Sequence, residues 1–197
     1  MPRKIDAEAR AEHIASAALR ALGRDGLAGL SVRGVAAEAG IAAASLRRAF
    51  PTQHSLRVYC FELIQERATA RIVALDLYGR AYVDQLLAQL LPLDSERRLE
   101  FVAQVQLGVL SLTDSNLRPA AIKLGAAVAR VCQGAIDVLA RTGQLHNDRD
   151  PEYEAQRLRV LIDGIAMYGL WSGAPEESGR MLSTLARHLD ELAHPER

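Results

Sequence analysis

Between Ser31 and Phe50 the chain carries two short apolar periodicities separated by one glycine, and no other feature constrains its fold as tightly. Val32, Val35, Ala36 and Ala39 recur at helical spacing behind Ser31, a natural N-cap, and Gly40 offers the left-handed residue that stops such a helix. After a short turn a further helix begins near Ala42 or Ala43 and runs to Phe50, with Leu46, Ala49 and Phe50 on its inward face. Upstream, Ile14, Ala18 and Leu22 line one side of a helix from Glu8 to Leu22, which Gly23 and Gly26 are expected to end. Three helices with a tight glycine turn between the last two make a helix-turn-helix.

The string Leu46-Arg47-Arg48-Ala49-Phe50 sets two cations side by side on the third of these helices. With Leu46 and Phe50 turned inward, Ala43, Ala44, Arg47 and Arg48 face outward. On the residues alone that face fits two roles, a solvated surface or a contact with phosphates and guanine edges. For the second role, small residues ahead of the arginines let the helix approach a groove. The whole chain balances 24 basic against 24 acidic residues, yet positions 1–60 hold nine basic and five acidic ones. A basic head on an acidic body is the pattern of a chain whose head alone meets nucleic acid.

The rest of the sequence reads as longer helices. Hydrophobic residues make up 49% and aromatics only 5%, Ala and Leu dominate, and no run of strand period is long enough to build a sheet, so the fold class is all-α. Helices are predicted from Gln53 to about Leu77 and then over 81–91, 95–112, 117–141, 151–171 and 175–192, about nine in all. No stretch approaches the ~18 uninterrupted apolar residues of a membrane span, and the first residues lack the apolar core of a signal peptide. A cytoplasmic protein with no membrane partner is expected. Cys60 and Cys132 sit singly in apolar runs and read as core thiols. Glu191-Leu192-Ala193-His194 has a spacing used by di-iron helical bundles, but one copy cannot hold two metals, and no zinc-protease, phosphate-loop or serine-elbow motif occurs. No catalytic residue, metal or cofactor is therefore expected. The rival classes are a helical enzyme and a purely structural or protein-binding helical module, in the second of which loss of Arg47 and Arg48 would change nothing.

The spacing Ile14-(x)3-Ala18-Leu19-(x)2-Leu22, Gly26, Leu30-Ser31-Val32-Arg33-Gly34-Val35-Ala36-(x)2-Ala39-Gly40-Ile41-(x)4-Leu46-(x)3-Phe50-Pro51-Thr52-Gln53-(x)2-Leu56 resembles the DNA-binding head of the TetR family of one-component regulators. More loosely, Leu91-Pro92-Leu93-Asp94-(x)-Glu96-Arg97-Arg98 and Leu161-Ile162-Asp163-Gly164-Ile165 resemble the C-terminal domain of its betaine-regulator (BetI-like) branch.

The resemblance implies a helix-turn-helix DNA-binding domain over 1–52 and a helical ligand-binding and dimerisation domain over 53–197. It further implies a homodimeric repressor, released from palindromic double-stranded operator DNA by a small-molecule inducer. Carried over position by position, the family's DNA contacts fall on Arg33, Ala43, Ala44, Ser45, Arg47, Arg48, Thr52 and Gln53. Many members have Ser at Ala42, Gly at Ala44, Tyr at Arg47, His at Ala49 and Lys at Gln53. The first departure removes a side-chain cap worth about 1 kcal/mol, and Arg47 replaces a hydroxyl with a full charge. Arg3 and Lys4 suit either a minor-groove arm or a disordered tail.

In such an architecture the last two helices pair across a twofold axis. Leu158, Leu161, Ile162, Ile165, Met181, Leu182, Leu185 and Leu189 are then expected at a dimer interface, with Gly164 and Gly169 allowing close approach, unless these stripes close the subunit's own core. A ligand pocket among the middle helices would draw on Phe101, Val105, Val109, Cys132, Asp163, Met167, Tyr168 and Trp171. Asp163 lies in an apolar run and needs a partner, either a cationic inducer or an arginine such as Arg130 or Arg159.

Overall fold

The computed structural model describes residues 2–172 and 176–195, with side chains from residue 9 onward. Among the described residues are nine α-helices and no strand: α1 (Pro2–Gly29), α2 (Val32–Glu38), α3 (Ala43–Ala49), α4 (Gln53–Val73), α5 (Gly79–Ala88), α6 (Ser95–Ser111), α7 (Arg118–Arg141), α8 (Pro151–Ser172) and α9 (Glu177–Glu191). By compactness the chain divides into two units, Met1–Arg67 with Ala103–Ala121, and Ala68–Val102 with Ile122–Arg197. Helices α4, α6 and α7 contribute residues to both.

In the first unit, α1 packs on α2 and α2 on α3. Ala17, Ala18, Ala21 and Leu22 of α1 are buried, as are Val35 and Ala36 of α2, Leu46 of α3, and Leu56 and Cys60 of α4. Helix α1 extends beyond its expected range at both ends. Gly23 does not stop it, because the roughly 1 kcal/mol that glycine costs in a helix interior is offset by burying the adjacent Ala21 and Leu22. The break falls at Gly26 (φ 65°, ψ 178°). A single turn follows, closed by the Leu30 N–H donating to the Gly26 carbonyl at 3.0 Å. Ala49, expected inward, is exposed, since a helix of two turns presents only Leu46 fully to the core. Phe50 turns in at its end and meets Tyr59, with ring centroids 4.7 Å apart.

In the second unit, α8 packs along α9. Leu158 and Ile162 from one and Met181, Leu185 and Leu189 from the other are buried. Gly169 faces Met181 so closely that a Cβ there would overlap its sulfur. Helix α4 ends at Val73 rather than near Leu77, and Val73, Leu77 and Tyr78 are all exposed, so little apolar burial is there to extend it. The chain then runs extended through Tyr78 into α5. The expected start of the last helix at Pro175 lies outside the described residues.

Both cysteines are buried, and burial pushes the Cys60 thiol up to about 12 and the Cys132 thiol up to about 11, which suits core packing and not nucleophilic chemistry. No helix among the described residues is long and apolar enough to cross a membrane.

Candidate nucleic-acid interface

The two helices around Gly40 are stopped and started by local chemistry. Ser31 Oγ accepts the Gly34 N–H at 3.1 Å and caps α2. At the other end Gly40, at φ 61°, lets the Ile41 N–H reach the Ala36 carbonyl at 3.0 Å and its own N–H reach Ala37 at 3.1 Å. That bond pair is a Schellman stop, and it sets the angle between α2 and α3 without a long loop. Helix α3 leaves from Ala42, which has no capping side chain, with the Ser45 N–H donating to the Ala42 carbonyl at 2.9 Å. Leu46 anchors it from below.

Most arginines of this unit are engaged. Glu38 on α2 accepts from Arg20 Nε at 2.7 Å and Arg24 Nη1 at 2.6 Å, and these bonds hold its carboxyl below the usual carboxylate range. Arg24 does the same to Asp25. Arg57 donates from Nε to the Leu27 carbonyl at 3.0 Å. Arg33, Arg47 and Arg48, by contrast, are exposed and have no hydrogen-bond or ion-pair partner among the described residues. Three such cations can meet phosphates or guanine edges without first giving up an internal bond.

The other expected contact residues divide. Ala44 is exposed and Ala43 half-buried, leaving only methyl groups at the start of α3. Ser45 Oγ accepts from Arg10 Nη2 at 3.0 Å, which brings a cation 35 residues away in sequence to the same helix; no pattern in the sequence marks it. Thr52 Oγ1 accepts the Ser55 N–H at 3.0 Å while Ser55 Oγ donates to the Thr52 carbonyl at 2.8 Å, so Thr52 caps α4. Gln53 Nε2 donates to the Leu30 carbonyl at 2.8 Å. Both residues therefore hold the head's structure before they can hold anything else. The side chains of Arg3 and Lys4 lie outside the described residues.

Two family models match different parts of the chain. Residues 14–59 match the family model of bacterial regulatory proteins, tetR family, and residues 79–194 match that of the BetI-type transcriptional repressor, C-terminal. The chain belongs to the TetR family. It is a DNA-binding helix-turn-helix transcriptional regulator and not an enzyme. It is 27% identical over 195 residues to the HTH-type transcriptional regulator PksA of Bacillus subtilis (strain 168), covering 98% of this chain and 94% of that relative. A TetR transcription regulator from Haloarcula marismortui ATCC 43049 shares its fold at a TM-score of 0.80 and 21% identity, over 94% of this chain and 98% of that one. So does a transcriptional regulator from Saccharomonospora viridis solved in complex with choline, at 0.77 and 22%, over 97% and 100%.

Within this TetR-family chain the residues expected at a ligand pocket have no common setting. Val105 and Val109 belong to the first unit, Val105 half-buried and Val109 exposed. Phe101 and Cys132 are buried in the second unit and Met167 is half-buried, whereas Tyr168 and Trp171 project from α8 at 62% and 76% exposure. Asp163 is not enclosed, and its partner is Arg159, whose Nε donates to it at 2.9 Å while Nη1 donates to the Gly125 carbonyl at 2.6 Å.

Five of the eight residues expected at the interface turn inward. Leu158, Ile162, Met181, Leu185 and Leu189 lie in the subunit's own core, Leu161 and Ile165 are half-buried, and Leu182 is exposed. The outward face of α8 is instead Tyr153, Val160, Gly164, Tyr168 and Trp171. Beside it runs an open groove of about 470 Å³ lined by Tyr153, Gln156, Arg157, Val160, Leu161 and His188.

Proposed function

We propose that this regulator is a dimeric repressor that binds a palindromic operator through α3 of each subunit and leaves it when a small-molecule inducer binds the helical region beyond residue 52. The observation that carries this reading is α3 itself: Arg47 and Arg48 stand exposed behind two alanines, without a partner among the described residues, on a helix held by buried Leu46. In this scheme Arg48 and Ser45 read base edges, Arg47 takes a phosphate, and Ala43 and Ala44 meet thymine methyls. Arg33 and the first backbone amides of α4, behind Thr52, hold flanking phosphates.

The outward stripe of α8 supports pairing with a second copy. Val160 at 72% and Trp171 at 76% exposure lie on one helix face with Tyr153 and Tyr168, an apolar surface that a second subunit would cover. For induction, the ligand must bind the DNA-incompetent dimer better than the competent one, and a coupling of about 1–3 kcal/mol corresponds to roughly 5- to 150-fold.

The test is fluorescence anisotropy of the purified protein on DNA from upstream of its own gene, across salt, beside an Arg47→Ala/Arg48→Ala double variant. The wild type is expected to bind tightly with a steep salt dependence, and the variant to lose affinity and flatten the slope. Equal, weak binding of both to that DNA and to a random-sequence pool would remove the assignment of α3.

A further inference from the structure

The helix-turn-helix is completed by a residue from far along the chain. Gln106 lies on α6, in the part of it that belongs to the first unit. Its Oε1 accepts the backbone N–H of Leu27, 79 positions earlier. Leu27 opens the single turn that follows the break at Gly26, so its N–H is one of the orphan donors every helical start presents. A capping side chain at the break would reach the N–H groups of the second and third residues of the turn, so the first, that of Leu27, needs an acceptor from elsewhere.

Position 26 is also suited to glycine. Its φ of 65° disfavours any side chain, and a Cβ there would lie 3.0 Å from Gln106 Nε2 and 3.1 Å from Oε1. Gln106 thus fills the space beside Gly26 and supplies the acceptor that no side chain at that position would offer Leu27. The far end of the same turn is held by α4, through Arg57 Nε on the Leu27 carbonyl at 3.0 Å and Gln53 Nε2 on the Leu30 carbonyl at 2.8 Å. Leu30 leads straight into Ser31, the cap of α2, and α2 leads through Gly40 into α3. The direction of this turn is therefore the direction in which both helices leave α1.

We propose that Gln106 is a positioning residue for operator binding, capping the 26–30 turn from α6 and so fixing how α2 and α3 are carried on α1. The proposal rests on the operator-binding reading above. Gln106 acts through Leu27 and touches no DNA, so its loss weakens operator binding without changing how many phosphates are held.

The test compares full-length wild type with Gln106→Leu, which keeps the bulk and removes the acceptor, and Gln106→Glu, which keeps an acceptor oxygen. Two readouts are taken: amide exchange at Leu27, and operator affinity across salt. Gln106→Leu is expected to accelerate Leu27 exchange and weaken operator binding by ~10-fold each, the effect of losing a helix cap, with an unchanged salt slope. Gln106→Glu is expected to restore both to within about two-fold on the same capping argument. Wild-type Leu27 protection or wild-type affinity in Gln106→Leu overturns the proposal, as does a Gln106→Glu protein no better than Gln106→Leu. Wild-type protein that binds no operator removes the repressor reading, and the positioning role with it, whatever Leu27 shows.

Discussion

Arg149 and Glu154 meet at 2.6 Å with 7% and 1% of their side chains exposed, a charge pair closed off from solvent at the start of α8. Arg149 also donates to the carbonyls of Glu191 at 2.9 Å and His194 at 2.8 Å, so one guanidinium ties the loop before α8 to the end of α9. Arg157 shares Glu154 from the more open side at 3.1 Å. Burial of the pair is tolerated because each of the three Arg149 nitrogens has an acceptor.

Removing the carboxylate leaves that guanidinium without its counter-charge. Glu154→Ala is expected to cost about 3–5 kcal/mol, lowering Tm on the order of 10 °C for a chain of this size. An Arg149→Leu/Glu154→Leu double variant should lose much less. Calorimetry at one fixed protein concentration decides it, since the proposed dimerisation would make Tm concentration-dependent. An unchanged Tm in Glu154→Ala would show that the pair does not hold α8 to α9.

Ala42 stands where a side-chain cap for α3 is absent. Ala42→Ser is expected to stabilise the first turn of α3 by about 1 kcal/mol. If operator binding must order that turn, affinity rises by up to about five-fold through pre-organisation. Anisotropy titration and hydrogen exchange over residues 43–49 measure the two effects together.

Val160 sits mid-stripe on the outward face of α8 and contributes little to the subunit's own core. Val160→Glu is expected to yield a monomer with wild-type helical content, read by analytical ultracentrifugation and circular dichroism. Operator affinity should fall with it, because two linked heads bind far better than one. A dimeric Val160→Glu protein would move the interface elsewhere.

His188 carries a buried Nε2 with no hydrogen-bond partner among the described residues. Burial first, and then the nearby Arg157 and Arg149, push its pKa below the ordinary histidine value, against an opposite pull from Glu154 and Glu191. The folded protein therefore keeps it neutral while the unfolded chain protonates near pH ~6.5. Its contribution to stability is complete above that pH and is lost as pH falls through ~6.5 toward the lower folded value. The difference in Tm between wild type and His188→Gln, followed from pH 7.5 to 5.5, should shift steadily against the wild type on acidification. A constant difference would mean that His188 does not titrate in this window.

The head was largely legible because its signals are local. A serine cap, a glycine stop and one buried leucine each act within a turn or two of helix, and the phase of Leu46 places Arg47 and Arg48 outward wherever the rest of the chain lies. Helix α8 shows where such reasoning stops. It carries one apolar stripe through Leu158 and Ile162 and a second through Val160, Tyr168 and Trp171. Periodicity points to the first and places Tyr168 and Trp171 at a ligand pocket, and only packing against α9, with Met181 seated on Gly169, decides which face turns inward.

By itself, then, the sequence determined an all-helical chain with a basic helix-turn-helix at its start and two arginines on that motif's outer face. The tertiary structure alone decided that α8 turns its Leu158 face to the core, that Arg159 reaches the Gly125 carbonyl 34 positions away, and that Gln106 caps Leu27 across 79. Caps and periodicities are set by neighbours within a few residues, whereas these contacts join helices far apart in the chain and exist only once those helices have packed.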